Sequence, residues 1–271
     1  MWLLSNKITV RDSGLLEGFC DYHCHLLPGV DDGVEEVKET LRILREWESV
    51  GVKKIWLTPH IMEDIPNKPP ELRRRFTELQ KSYNGSIRLN LAAEHMMDGL
   101  FLKRFNDNHN DNLNDNLNDN LNDNDNHNEN HNDNLNDNHN LNDNGRLVIE
   151  DNVMLVETSY YIPPMNMEGI IDSIKAKGYD PLLAHPERYQ YMEKDAYRHW
   201  KAKGVLLQLN LPSLVGAYGP EVMRKAEWLL RENMYDYCGT DTHSEEQMEL
   251  FLDGIINKKV VKKVRRITER P

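Results

Sequence analysis

Five histidines and three acids in this chain close successive strand-like runs, where side chains from distant segments can meet. His23 and His25 stand two residues apart, so in an extended strand both imidazoles point one way while Cys24 points the other. Asp241 and His243 repeat that spacing near the opposite end of the chain. Between them, His60, Glu94, Glu157 and His185 each end a strand-like run, and Asp31-Asp32-Gly33 follows in the loop after His25. A lone strand-end histidine is more often structural, and a lone aspartate there is usually a helix N-cap. Here, however, five of the seven histidines outside a low-complexity tract belong to one set. Gathered at one rim, such imidazoles and carboxylates would repel or titrate unless cations sat among them. Nitrogen and carboxylate-oxygen donors without thiolate suit Mn²⁺, Fe²⁺ or Zn²⁺, so the pattern predicts a metal centre.

The elements that carry these residues alternate between strand and helix. The first strand ends in 18–25. A helix follows over 34–50, with Val34, Val37, Leu41 and Leu44 on one face and Gly51 closing it. Further strands are predicted at 52–58, 87–92, 153–157, 180–184, 205–209 and 235–239. Helices are predicted from Pro69 onward and at 98–105, 169–177, 195–204, 220–231 and 245–257. Seven strand–helix units of about 33 residues each match the size of a βαβ repeat, which implies a parallel α/β sheet buried on both faces. Closure into a seven-unit barrel is favoured over an open doubly wound sheet, because a barrel brings every strand end into one ring.

The 271 residues include 33 Lys+Arg and 45 Asp+Glu, a net charge of −12. Much of that excess sits in 106–144, where every even position is Asn and no Lys or Arg occurs. Asn and Asp are poor strand formers, and neither face of such a segment could bury enough apolar surface, so the tract reads as a disordered insertion in a single domain over 1–271. Outside it the chain is nearly neutral, which argues against a nucleic-acid binder relying on a broad basic field. Cys20, Cys24 and Cys238 are too few and odd in number for a disulfide framework. Met1-Trp-Leu-Leu is too short for a signal peptide, and no apolar run approaches the ~18–20 residues of a membrane span. A protein of the cytoplasm is expected.

The motifs Asp21-Tyr-His-Cys-His25, Asp31-Asp-Gly33, Thr58-Pro-His60, Ala93-Glu94, Val156-Glu157, Ala184-His-Pro-Glu-Arg188 and Thr240-Asp-Thr-His243 resemble those of the PHP (polymerase and histidinol phosphatase) superfamily. Their spacing is most similar to its bacterial tyrosine-phosphatase branch, associated with capsule and exopolysaccharide synthesis. The resemblance spans the chain except 106–144. It implies a distorted (βα)7, TIM-like barrel holding three divalent metals, manganese foremost and iron or zinc otherwise. His23, His25, Glu94 and Asp241 would hold the first, Asp32, His60 and His243 the second, and Glu94, Glu157 and His185 the third, with Glu94 bridging. Arg188 matches an arginine that such enzymes place near the substrate phosphate, and Asp241 or His243 would pass a proton. The implied partner is a phosphotyrosine protein, a tyrosine autokinase of polysaccharide export.

An activated water would attack phosphorus in line, and a phenolate leaving group with a pKa near 10 needs little protonation help. Thiol catalysis is excluded by spacing: a cysteine phosphatase carries Arg six positions after its nucleophile, where this chain has Leu26, Val30 and Ser244. The rivals are a small-molecule phosphomonoesterase such as a histidinol-phosphate phosphatase, and a non-catalytic partner protein whose site the insertion has damaged. An amidohydrolase would need a carboxylated lysine or its equivalent where this chain has Glu157. Tyr160, Tyr161, Tyr189 and Tyr191 are candidates for an aromatic-accepting mouth. Arg73-Arg-Arg75 reads as a solvated helix face or a hold for an acidic phosphopeptide.

Overall fold

Strand and helix alternate as expected in the computed structural model, which describes residues 6–107, 146–150 and 152–268. The first half contains β1 (Lys7–Thr9), β2 (Cys20–Cys24), α1 (Val37–Ser49), β3 (Lys54–Leu57), β4 (His60–Ile61), α2 (Pro69–Ser82), β5 (Arg88–Leu91), β6 (Glu94–Met96) and α3 (Phe101–Asn106). Then come β7 (Val153–Glu157), α4 (Met167–Ala176), β8 (Asp180–Leu183), α5 (Lys194–Ala202), β9 (Leu206–Asn210) and α6 (Pro220–Arg231). The chain closes with β10 (Tyr237–Gly239), α7 (Glu245–Asp253), β11 (Ile255–Asn257) and α8 (Lys258–Thr268). The disorder expected for 106–144 lies outside the described residues, apart from Asn106 and Asp107 at the end of α3.

All pairings from β2 to β10 are parallel. One group runs β2-β3-β5 and the other β4-β6-β7-β8-β9-β10. The two groups are joined along the chain, because Thr58-Pro59 separates β3 from β4 and Ala92-Ala93 separates β5 from β6. Proline has no N–H to give a ladder, so pairing breaks there. Hydrogen bonds still cross the break, from Ala92 N to Leu57 O (2.8 Å) and from Glu94 N to Pro59 O (3.1 Å). The far edges also meet. Cys24 bridges Thr242 in parallel, His25 N donates to Thr242 O (2.9 Å) and Asp241 N donates to His23 O (2.7 Å). The result is a curled parallel α/β sheet.

Both faces of that sheet are filled, as parallel strands require. In β7, Val153 and Leu155 join an inner cluster with Trp56, Ala92, Leu182 and Ala184, while Met154 and Val156 join the larger cluster under the helices. Glu157 continues the inner series of β7 at its carboxyl end. In β2, Cys20 and Tyr22 pack on the inner cluster, and the register then shifts between Asp21 and Cys24. The irregularity swaps faces, sending Cys24 to the helix side and His23 and His25 inward.

Two expectations need correction. Helix α1 starts at Val37 and buries Thr40, Ile43, Leu44 and Trp47, whereas Val37 is 40% exposed and Leu41 only half-buried. Val34 belongs to the preceding loop, where its N–H donates to His25 O (3.1 Å), so the true stripe is rotated from the expected one. The last long helix also ends early, at Asp253. Gly254 is extended (φ −59°, ψ 143°), and Ile255–Asn257 pairs antiparallel with β1 instead of continuing the helix. The unpredicted α8 then buries Val261 and Val264.

The corrected face of α1 predicts unequal effects. Trp47→Ala should lower unfolding free energy by about 3–5 kcal/mol, while Val37→Ala should stay within about 0.5 kcal/mol. Denaturant unfolding of the two variants checks this, and comparable losses would contradict the observed burial.

Candidate metal centre

The end of β2, the start of β6 and the turn after β10 converge on the first donor group; Glu94 and His60, expected to close strands, instead open β6 and β4. The Nε2 atoms of His23 and His25 lie 3.1 Å apart. Glu94 Oε2, at the start of β6, is 3.2 Å from His23 Nε2 and 3.4 Å from His25 Nε2. Asp241 Oδ1 is 3.4 Å from each imidazole. Donors held about 2.0–2.2 Å from a first-row ion stand roughly 3.0–3.5 Å from one another, so this spacing fits one cation.

Two further groups adjoin it. Asp32 Oδ1 lies 3.4 Å from His60 Nε2 and 3.5 Å from His243 Nε2, and His25 also falls within this group. The other face of the same imidazole, His60 Nδ1, is 3.2 Å from Glu94 Oε2 and 3.1 Å from Glu157 Oε1. His185 Nε2 is 3.2 Å from Glu94 Oε1 and 3.7 Å from Glu157 Oε2. The structure therefore brings together all nine expected ligands, and it adds His60 to the group around Glu157. Buried His60 Nδ1, Glu94 Oε2 and Glu157 Oε1 approach one another without a hydrogen bond of acceptable alignment. Buried polar atoms normally find such partners, so these three fit cation donors better than hydrogen-bonding groups.

The outward ring nitrogens are anchored. His25 Nδ1 meets Asp31 Oδ2 at 2.8 Å, His23 Nδ1 meets Gln208 Oε1 at 2.7 Å, and His243 Nδ1 meets Asp241 O at 2.9 Å. These contacts fix each ring with Nε2 toward the cluster. Asp31 also accepts from His60 N and Gly33 N, so of the aspartate pair Asp31 orients while Asp32 offers a donor. A Cβ on Gly33 would come within 2.1 Å of the His25 carbonyl oxygen, which is why this loop needs glycine. Asn210 Nδ2 donates to Asp241 Oδ2 (3.1 Å), and buried Asp21 accepts from Thr240 N, Thr240 Oγ1 and His23 N. Gln208, Asn210 and the orienting role of Asp31 escaped the sequence reading. Their one signal is that Gln208 and Asn210 interrupt an otherwise apolar strand at alternate positions near its end.

Charges in the cluster balance each other. Burial disfavours the charged form of His23, but Glu94 and Asp241 outweigh it and lift the imidazole to about 9. Burial likewise opposes the charge of His25, yet the nearby carboxylates of Asp241, Asp31 and Glu94 hold its value well above the usual range. Burial works against ionised Glu94 and Asp241 too, and His23 foremost among the neighbouring imidazoles keeps both well below the carboxylate range. His185 (φ 33°) and Asp241 (φ 52°) adopt left-handed backbone, a conformation disfavoured by about 1–2 kcal/mol per residue.

Arg188 lies beside this centre. Its Nη1 donates to Asp241 Oδ2 (2.6 Å), and its guanidinium lies 4.5 Å and 4.2 Å from the ring centres of Tyr160 and Tyr218. The alternative partner Glu187 is instead buried on Asn210 N and the Tyr235 hydroxyl. Of the four candidate mouth tyrosines, Tyr160 borders the site, with its ring 5.7 Å from that of His185. Tyr189 is fully buried, Tyr191 bonds Thr158, and Tyr161 is exposed. Arg74 and Arg75 pair with acids of their own helix and form a solvated face. Burial pushes the Cys24 thiol well up.

A histidine- and carboxylate-rich cluster at the carboxyl ends of a curled parallel α/β sheet defines a candidate polynuclear metal site. The sequence matches the family model described as capsular polysaccharide synthesis, CpsB/CapC, over residues 19–118 and 130–266. This chain belongs to that family. It is 23% identical over 228 residues to the tyrosine-protein phosphatase YwqE of Bacillus subtilis (strain 168), covering 83% of this chain and 77% of that protein. It is 21% identical over 255 residues to CapC of Staphylococcus aureus, covering 89% and 84% respectively. Its fold matches a crystal structure from work on YwqE and on CpsB from Streptococcus pneumoniae, described as unique metal-dependent tyrosine phosphatases. The TM-score is 0.66 at 20% identity, over 91% of this chain and 86% of that one.

The electrostatics predict the pH dependence of metal uptake. With its value raised from 6.5 to about 9, metal-free His23 keeps its proton through neutral pH, and a ligating imidazole must lose it. Metal affinity should therefore rise between about pH 6 and pH 9, with protons released on binding. Calorimetric titration in buffers of different ionisation enthalpy measures both, and an affinity flat across that window would contradict the assignment.

Proposed function

We propose that this chain is a metal-dependent protein-tyrosine-phosphatase. Its substrate is phosphotyrosine on a protein of capsule or exopolysaccharide synthesis, a tyrosine autokinase, in the cytoplasm. One observation carries the proposal: nine residues from distant segments of the chain bring nitrogen and oxygen donors to one rim with Arg188 beside them. Membership of the capsular polysaccharide family and the names of its relatives supply the substrate class. Among the described residues no helix is long and apolar enough to cross a membrane.

The proposed architecture is a distorted (βα)7 barrel forming a single domain, with 106–144 as an insertion. Contact between the first and last parallel strands supports closure. The proposed ligands are His23, His25, Glu94 and Asp241 for one ion, Asp32, His60 and His243 for a second, and Glu94, Glu157 and His185 for a third. When bound, such ions, manganese foremost, supply Lewis acidity that lowers the pKa of water and offsets phosphoryl charge.

The chain's own groups do the rest. Arg188 commits one N–H to Asp241, and its planar fork leaves others to donate to phosphoryl oxygens. The rings of Tyr160 and Tyr218 hold that plane. Proton movement to the leaving oxygen falls to His243 rather than Asp241, whose carboxyl the neighbouring imidazoles hold ionised, and a phenolate asks little of it.

Elemental analysis of the purified protein, paired with turnover of a phosphotyrosine peptide and of histidinol phosphate, tests the proposal. A metal-bearing protein that prefers the peptide is expected; preference for histidinol phosphate would move the substrate to small molecules. His23→Ala and Asp241→Ala should each lose metal and activity together. Arg188→Ala should keep its metal while kcat/KM falls about 10–100-fold, and unchanged kinetics would remove its role.

A further inference from the structure

Beside the metal centre lies a groove of about 790 Å³ between residues 187–197 and helix α6. This volume suits a small ligand or a short peptide segment. Groove and centre share two border residues. The Arg188 guanidinium bonds Asp241, and the Tyr218 hydroxyl accepts from Asn210 Nδ2 (3.2 Å), yet both side chains also line the groove.

The lining is cationic. Arg188, Lys194, Arg224, Lys225 and Arg231 face three acids, Glu187, Glu193 and Glu221. The Glu187 carboxylate is buried on Asn210 N and the Tyr235 hydroxyl, and Glu221 lies 3.6 Å from Arg224. Lys225 is turned to the carbonyl oxygens of Tyr189 and Met192. Lys194 Nζ stands 5.3 Å from the ring centre of Trp228, and among the described residues neither Lys194 nor Arg231 forms a salt bridge. Cations without acidic partners beside an aromatic platform are suited to carboxylates carried on a peptide.

We propose that this groove receives acidic residues flanking the phosphorylated residue of a protein substrate. The inference rests on the phosphatase proposal above and deepens it by naming an acidic peptide as the substrate class. A phosphoryl group held against the centre and Arg188 leaves the attached chain at the Tyr218 border, and the adjoining recess is the cationic one. Carboxylates on that chain meet Lys194, Arg224 and Arg231, which raises encounter rate and holds register.

The test uses the full-length, metal-loaded protein with two phosphotyrosine peptides of equal length, one flanked by Asp and Glu and the other by Ser and Gln. The wild type should show a KM about tenfold lower for the acidic peptide, and the gap should narrow as salt is raised. The double variant Arg224→Glu/Arg231→Glu should raise KM for the acidic peptide about tenfold, with kcat within about twofold and the neutral peptide little affected. Arg224→Gln/Arg231→Gln should fall between and guards against a folding defect in the first variant. Equal treatment of both peptides by the wild type overturns the inference, as does an equal KM rise for both in the variants. A double variant that alters only oligomeric state in sedimentation would make the groove a contact between copies, which also overturns it. Wild-type protein that hydrolyses neither peptide nor phenyl phosphate would instead defeat the phosphatase proposal, and this inference with it.

Discussion

Burial of ionisable groups is the constraint from which the rest of the structure follows. His23, His25, His60, Glu94, Glu157, His185 and Asp241 are all buried at one rim, and an isolated buried charge costs several kcal/mol even after relaxation. Such a cluster survives only if each group has a countercharge at close range. The pairing of raised imidazoles with lowered carboxylates meets that condition when protons supply the positive charge. Divalent cations meet it with fewer particles and stronger fields, and donor spacings of 3.1–3.5 Å suit them. Protons and metals are thus competitors for one electrostatic role.

Holding like donors this close demands a rigid frame, and the local oddities of the chain gather around that task. The shift in β2 turns the imidazoles of His23 and His25 inward on a strand whose inner positions until then are Cys20 and Tyr22. Left-handed backbone at His185 and Asp241 bends the chain sharply just where β8 and β10 end. Gly239 lies so close to β2 that a Cβ would fall 2.5 Å from that of His23. These features are unfavourable or restrictive alone. Their concentration at the rim is what a preorganised site requires, since strain persists where surrounding structure over-determines it.

Legibility in the sequence followed the strength of local periodicity. Val153–Glu157 and Pro220–Arg231 fall at their expected bounds because β-branched residues and an initial proline mark them clearly. The face of α1 did not, since Val34 mimics a helical position while serving a loop. Apolar residues on both sides of Asp253-Gly254, Leu250 to Leu252 and Ile255-Ile256, likewise hid the stop at Gly254, where pairing with β1 overrides helical pattern. At the site, a two-residue spacing exposed His23 with His25 and Asp241 with His243. Residues that act through a ring nitrogen or one carboxylate oxygen, such as Gln208 and Asn210, carry no such spacing, because their partners are far away in the chain.

Asp241 joins these levels. One of its oxygens faces His23 and His25, while the other accepts from Arg188 and Asn210. On the proposed ligand assignment, a carboxylate divided in this way couples the cations on its first side to the arginine on its second. In the proposed role of Arg188, an arriving phosphoryl group competes with Asp241 for it, and any N–H that leaves the carboxylate increases the negative charge offered to the cluster. Anion binding on the arginine side and cation binding on the histidine side therefore favour one another through a single side chain, and thermodynamic linkage makes that help reciprocal. The geometry needs no moving loop for this coupling. It needs only that Asp241 stay ionised, which the surrounding imidazoles secure.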